Sequence, residues 1–430
     1  MASRLVDPSS CCECAKEELD IFAVPPTQTS IESGKYIQFN PVSSLAANTP
    51  IEFLIPGSPT EYVDLPLTRM HVKARIINED GTNLTPDAEV GPTNLFLHSL
   101  FSQVEISLGG RVISSSQNTY PYRAYIETVL NSSKNAVSTH LTSSLYYKDT
   151  PTRFDQANPL LPQNPNEGLV KRSRFTSESK AVDLIGAIHS DIFFQKKHLL
   201  NGVDIKIKFN RAKDAFCLMS SQPQQRYRVD ILEASLLVRR VKVAPSILQA
   251  HAQALEFAPA RYPINRVECK SYTVTPGHLS FTRENIFLNT LPKRIVLGLV
   301  DAEAYSGVYT RNPFNFRAYG VNYLSVTANS ETVGGKPLAL SYTQQGGRNY
   351  IRAYESLFTG TGTYYSNISH DISREDYSGG NALYAFDLTP DLAGGSDHFS
   401  PVQTGALSIE VHFDRALANP VNFNCLRGIQ

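Results

Sequence analysis

From Gly202 the chain reads GVDIKIKFNRA, with Val203, Ile205, Ile207 and Phe209 set apart by single polar residues. An apolar residue at every second place marks a strand with one buried face and one wet face. The alternation returns 204 residues later in ALSIEVHFDRA, where Leu407, Ile409, Val411 and Phe413 take the matching places. Shorter runs of the same character predict further strands: IEFLIPG, HVKARII, KAVDLIGAIHSDIFF, YRVDILEASLLVRRVKV, INRVECKSYTVTPG and ALYAFDLTPD. In SQVEISLGGRVIS, Val104, Ile106 and Leu108 alternate up to Gly109-Gly110, a pair that supplies the positive φ of a tight hairpin.

Two segments switch to a helical period. In TYPYRAYIETVLNSS, Pro121 suits a first turn, and Tyr122, Tyr125, Ile126, Val129 and Leu130 fall on one face. In YIRAYESLFTG the stripe is Ile351, Tyr354, Leu357 and Phe358, with Gly360 where the helix should stop. A third helix, exposed as a connector, is predicted between Pro245 and Pro259. The Pro-, Asn-, Ser- and Gly-rich stretches 146–174 and 359–380 read as long loops of the kind that carry contacts.

These elements recur in order. DLPLTRMHVKARI from Asp64 resembles TLPKRIVLGLV from Thr290, an offset of 226 residues. The Arg-Ala-Tyr triplets of the two helices are 229 residues apart. With the offset of 204 above, three collinear echoes imply one structural unit used twice. The predicted fold is therefore all-β with a few short inserted helices: two tandem eight-stranded jelly-roll β-sandwiches. The division expected is a flexible N-terminal arm over 1–20, a first jelly roll over 21–243, a connecting helix or linker over 244–262 and a second jelly roll over 263–430.

Composition narrows the function. Forty acidic and forty basic side chains cancel, so no overall field of one sign draws the chain to nucleic acid or an anionic membrane. The N-terminus has no apolar run of the length a signal peptide or membrane span requires, and the chain is expected to be assembled inside a cell. Cys217, Cys269 and Cys425 sit singly in strand-like surroundings and read as buried thiols. Cys11, Cys12 and Cys14 lack a fourth ligand at usual metal spacing and read as incidental thiols on the arm.

Candidate chemistry is sparse. His189-Ser190-Asp191 would place a histidine and a carboxylate on one strand face, with His251 or His278 as a third ligand, the set a metal-dependent jelly-roll oxygenase would need. A surface histidine beside an aspartate is the preferred reading. Lys171-Arg172-Ser173-Arg174 is the one dense basic run and reads as a solvated loop, and Arg239-Arg240 as the end of a strand. HExxH, GxSxG and P-loop motifs are absent from the sequence. No catalytic residue, cofactor or metal is expected. A carbohydrate-binding double sandwich is an alternative, with Tyr-rich loops such as TGTYYSNISHD as its binding surface.

Several stretches also carry a family resemblance: NLFLHSLFSQVEISLGG, YRAYIET, LPKRIVLGLVDAEAYSG, NPFNF, ALYAFDLTPD and GALSIEVHFDRAL. With these the chain resembles double jelly-roll major capsid proteins of the Polinton/Maverick and adintovirus type. That lineage includes adenovirus hexons and the capsid proteins of large eukaryotic DNA viruses. The resemblance implies a homotrimer with a pseudo-hexameric outline that tiles the facets of an icosahedral virion. It also implies a single jelly-roll penton protein and minor capsid proteins as partners. At 430 residues there is little room for the tall outer loops of the largest relatives.

Overall fold

The computed structural model describes residues 21, 24, 26–46, 49–287, 290–343, 347–366, 369–394 and 398–429. The expected arm and its Cys11, Cys12 and Cys14 lie outside the described residues. The first half contains β1 (Ile31–Phe39), β2 (Ile51–Ile55), β3 (Glu61–Asn78), β4 (Val90–Pro92) and β5 (Phe101–Leu108). It continues with β6 (Arg111–Ser115), β7 (Val182–Ala187), β8 (Ile205–Arg211), β9 (Leu218–Ser220) and β10 (Tyr227–Val243). The second half contains β11 (Arg266–Val274), β12 (Ser280–Arg283), β13 (Arg294–Asp301), β14 (Val321–Ala328) and β15 (Glu331–Thr332). Then come β16 (Leu338–Ala339), β17 (Leu383–Asp387), β18 (Leu407–Phe413) and β19 (Val421–Ile429).

In the first half one sheet has the order β1-β10-β3-β7 and the facing sheet β2-β8-β5-β6, while β4 and β9 pair apart. In the second half the orders are β11-β19-β13-β17 and β12-β18-β14-β15, with β16 added beside β14. Setting aside β4, β9 and β16, each half pairs its first, eighth, third and sixth strands in one sheet. Its second, seventh, fourth and fifth strands form the other. That is jelly-roll connectivity, present twice in one order.

The sequence echoes fall on equivalent elements. Leu65-Pro66 lies early in β3 and Leu291-Pro292 just before β13, the alternating pair forms β8 and β18, and the Arg-Ala-Tyr helices follow β6 and β16 in their respective halves. Phe209 and Phe413 both point inward and are buried. The two hairpins correspond down to the turn. Gly109 and Gly110 at φ 53° and 81° join β5 to β6, and Asn329 and Ser330 at 49° and 71° join β14 to β15. A Cβ on either glycine would meet nothing within 4 Å, so positive φ alone selects glycine there. The core divides accordingly: one cluster lies between the first two sheets, and a second lies between the other two.

Local differences have physical causes. KAVDLIGAIHSDIFF is a strand only to Ala187, and Asp191–Phe193 forms a single 3-10 turn. Arg239 and Arg240 lie inside β10 rather than at its end, held by Asp64 at 2.6 Å and Glu61 at 3.5 Å. Of the stripe on helix Ile351–Thr359, Leu357 is buried and Tyr354 and Phe358 are half-buried, while Ile351 is exposed and Ala353 and Ser356 are buried in its stead. Gly360 does cap that helix, yet with φ −69°. A Cβ there would stand 2.6 Å from the Ala385 carbonyl of β17, so close approach rather than handedness excludes a side chain. The connector helix spans Pro245–Phe257 and buries none of its residues.

Candidate functional site: the seam between the sandwiches

The long segment between β6 and β7 builds the contact between the halves. Helix Tyr120–Asn131 starts with Pro121 in its first turn, where a missing N–H costs nothing. It is buried nearly all round, which a helix laid on one sheet would not be. Tyr120 belongs to the first core, while Tyr122, Tyr125, Ile126, Val129 and Leu130 belong to the second. The apolar stripe legible in the sequence therefore faces the neighbouring sandwich, not its own.

The second half meets this stripe with Asn312-Pro313-Phe314-Asn315-Phe316, in the loop between β13 and β14. The Phe314 ring stacks on Tyr125 with centroids 4.3 Å apart and planes within 5°, and Tyr122 stacks on Tyr305 at 5.2 Å. Phe316 fills the space over Gly298 of β13, where a Cβ would meet its ring at 2.7 Å. Such stacked pairs add about 0.5–1.5 kcal/mol each beyond the area they bury.

Polar groups fix the angle of the joint. Asp149, fully buried, accepts from Arg172 Nη2 at 2.8 Å and Asn166 Nδ2 at 2.9 Å on its own side. From across the seam it accepts from Asn312 Nδ2 at 3.2 Å. Asp155 takes the Asn312 N–H at 2.9 Å and the Asn315 amide at 2.8 Å. Lys148 reaches over to Asp376 at 2.7 Å, and the Thr152 N–H donates to the Gly379 carbonyl at 2.6 Å. Next to it, a Cβ on Gly380 would lie 2.4 Å from the Phe154 ring. The NPFNF motif thus fastens the halves with two asparagines and two phenylalanines.

A second polar chain crosses nearer β11. The Tyr120 hydroxyl and His98 Nδ1 are 2.9 Å apart, and the His98 and His189 rings lie edge to face at 4.7 Å. His189 Nδ1 and Glu127 Oε2 are 2.7 Å apart, Arg123 donates to Glu127 at 2.9 Å, and to Asp191 at 2.6 Å. Arg123 also donates to the Val267 carbonyl at 3.2 Å, and the Val267 N–H donates to Asp191 at 3.1 Å. The N–H and carbonyl of Val267 on this edge strand are thereby both satisfied by side chains of the other half. Burial opposes the charge on Glu127, but the Arg123 guanidinium and the His189 ring outweigh it and hold the carboxyl below the ordinary range. Burial, and then the neighbouring His189, hold the His98 ring well below the usual imidazole value.

These contacts correct the reading of His189 and Asp191. They are neither a surface pair nor one strand face: both lie past the end of β7, largely buried, and each serves a separate partner on helix Tyr120–Asn131. His251 lies on the exposed connector with Nδ1 2.8 Å from the Tyr62 hydroxyl, and His278 is exposed between β11 and β12. Among the described residues no group of three or more metal-ligating side chains gathers. Arg172 is likewise no solvated residue but the buried partner of Asp149, at the end of helix Glu167–Ser173. Cys217, Cys269 and Cys425 are buried free thiols; burial pushes Cys269 up to about 12. Beside the second polar chain a groove of about 860 Å³ runs between helix Tyr120–Asn131, the β7 edge and the outer face of β11, β13 and β19. The buried Asp149 was the seam residue least visible in advance, since an isolated Asp reads as a turn former.

No family profile matches the chain. An uncharacterized protein of Caenorhabditis elegans is 23% identical over 407 residues, 91% of this chain and 92% of that one. A chain of the Sputnik virophage superposes with TM-score 0.63 at 10% identity, over 97% of this chain and 90% of its own. The Faustovirus major capsid protein gives 0.57 at 9% identity, over 95% and 91%. The mavirus major capsid protein gives 0.50 at 12% identity, over 97% and 92%. At such identities the likeness is one of fold, and the fold is the double jelly roll of viral major capsid proteins.

Proposed function

We propose that this chain is a major capsid protein that assembles as a pseudo-hexameric homotrimer and tiles the facets of an icosahedral shell. The observation that carries the proposal is the pair of sandwiches with identical strand order, clamped by a seam made only of structural contacts. Fusing two copies of one unit lets three chains present six similar sandwiches, so threefold symmetry can occupy a sixfold lattice position. The proteins it resembles in fold over nearly its whole length are capsid proteins rather than enzymes. No helix among the described residues is long and apolar enough to cross a membrane, in keeping with a place in the virion shell.

The Polinton or adintovirus type is the origin we propose, on the sequence resemblance, with a nematode relative similar over most of both chains. Partners of this role are other copies of the chain, a single jelly-roll penton protein and minor capsid proteins. Light scattering on the purified protein tests the proposal together with negative-stain microscopy. A mass of three chains and threefold, six-lobed particles are expected. A stable monomer at all concentrations and ionic strengths would refute it.

A further inference from the structure

We infer that the β1 edge of one copy receives Arg352 and Asp391 of a second copy, in a head-to-tail contact that repeats the internal seam. The inference rests on the capsid reading and supplies its interface between copies.

Strand registers set the equivalence. Val267, Gly428 and Arg294 stand abreast across β11, β19 and β13, and Gln38, Leu237 and Arg69 stand abreast across β1, β10 and β3. Arg69 and Arg294 are each half-buried and directly precede a core residue, Met70 and Ile295, one residue off the 226-residue echo, so Gln38 holds in the first sandwich the place of Val267 in the second. Along the next strand, Ala187 stands beside Arg69 and Asp387 beside Arg294. Four residues beyond each lies an aspartate, Asp191 and Asp391. Arg123 and Arg352 are the arginines of the repeated Arg-Ala-Tyr.

Inside the chain, Arg123 and Asp191 close on the backbone of Val267. Their counterparts, Arg352, Asp391 and Gln38, are all exposed. Within the chain Arg352 bonds the Pro337 carbonyl at a long 3.4 Å and Asp391 pairs with exposed His398, contacts that a docking strand could replace. One sandwich therefore presents the gripping side of the joint and the other the gripped side, at opposite ends of one polypeptide. The complementary occupant is a second copy of this chain. A head-to-tail contact of this sort generates a ring when its rotation closes, here six sandwiches from three chains.

The test uses the full chain with Cys11, Cys12 and Cys14 changed to Ser. In that background Gln38→Cys with Arg352→Cys, treated with a short bis-maleimide, is expected to give covalently linked dimers and trimers. Either cysteine alone should give none. Arg352→Glu with Asp391→Lys is expected to convert the trimer into a monomer of unchanged circular dichroism. If trimers form but no link appears and the charge-reversed chain stays trimeric, the inference is overturned and the capsid reading stands. A parent chain that never leaves the monomer overturns the capsid reading, and this interface with it.

Discussion

Phe314→Ala should open the seam without dissolving either sandwich. The ring is fully buried and stacked on Tyr125 at 4.3 Å, with Phe216 edge-on at 6.0 Å and Tyr122 at 5.9 Å. Truncating a buried phenylalanine costs about 3–5 kcal/mol through lost transfer energy and the cavity left behind. That cost includes the stacked pair, which accounts for about 0.5–1.5 kcal/mol of it. Because these contacts lie between halves, the cost should appear as lost coupling. Urea unfolding followed by circular dichroism should separate into two transitions. Hydrogen exchange should quicken in helix Tyr120–Asn131 and in residues 146–155, and stay slow in β8 and β18. A loss below about 1 kcal/mol, or unchanged protection of that helix, would refute the assignment of the NPFNF motif as the clamp.

Three further outcomes are expected. Phe209→Ala and Phe413→Ala, at equivalent inward positions, should each cost about 3–5 kcal/mol in chemical denaturation, with quickened exchange confined to the altered half. Asp149→Asn keeps the shape but leaves Arg172 buried without its counter-charge, so a loss of about 3–5 kcal/mol is expected in the same assay. Acid should weaken the chain. Burial holds the His370 ring at about 4, so between the unfolded imidazole value near 6.5 and that point the unfolded chain binds a proton the native one does not. Stability from this group is full above about pH 6.5 and is lost as pH falls toward 4, by at most about 3 kcal/mol. The lowered Glu127 carboxyl adds a loss of the same sign at still lower pH. His370→Phe should flatten the melting-temperature profile over that interval, and an unaltered profile would contradict it.

The fold was legible because a two-residue period reports a buried face directly, and because duplication repeats the report. Val203 to Phe209 and Leu407 to Phe413 needed no partner strand to be read. The seam was legible only as apolar surplus. A helical stripe at Tyr122, Tyr125, Ile126, Val129 and Leu130 announces that something covers it, but nothing local says whether the cover is its own sheet or the next sandwich. Charges misled for the converse reason. Arg172 and Asp191 look like surface residues in any linear reading, and only their distant partners, Asp149 and Arg123, make burial tolerable.

The two copies differ on the outward face of their sheets. On the second sandwich Val267, Val296 and Leu426 line the groove under helix Tyr120–Asn131. The residues in those places on the first sandwich are Gln38, His71 and Ser235, by the registers that set Val296 beside Leu426 and His71 beside Ser235. Around them the first sheet carries Arg75–Asp230, Lys73–Glu233 and His71–Asp183 pairs, all partly exposed. Pairs so placed contribute little to stability, about 0–1 kcal/mol each. Their effect is to keep an edge and a sheet face soluble and unreceptive to stray strands. An interface formed once, during folding, can be apolar because it is never exposed afterwards. One that must wait in water for another copy cannot, since an apolar sheet face left open would join any partner in any register. On the proposed assembly, the divergence of the two repeats follows from covalent doubling: the joint inside the chain is free to become a core, while the joint proposed between chains has to remain a surface.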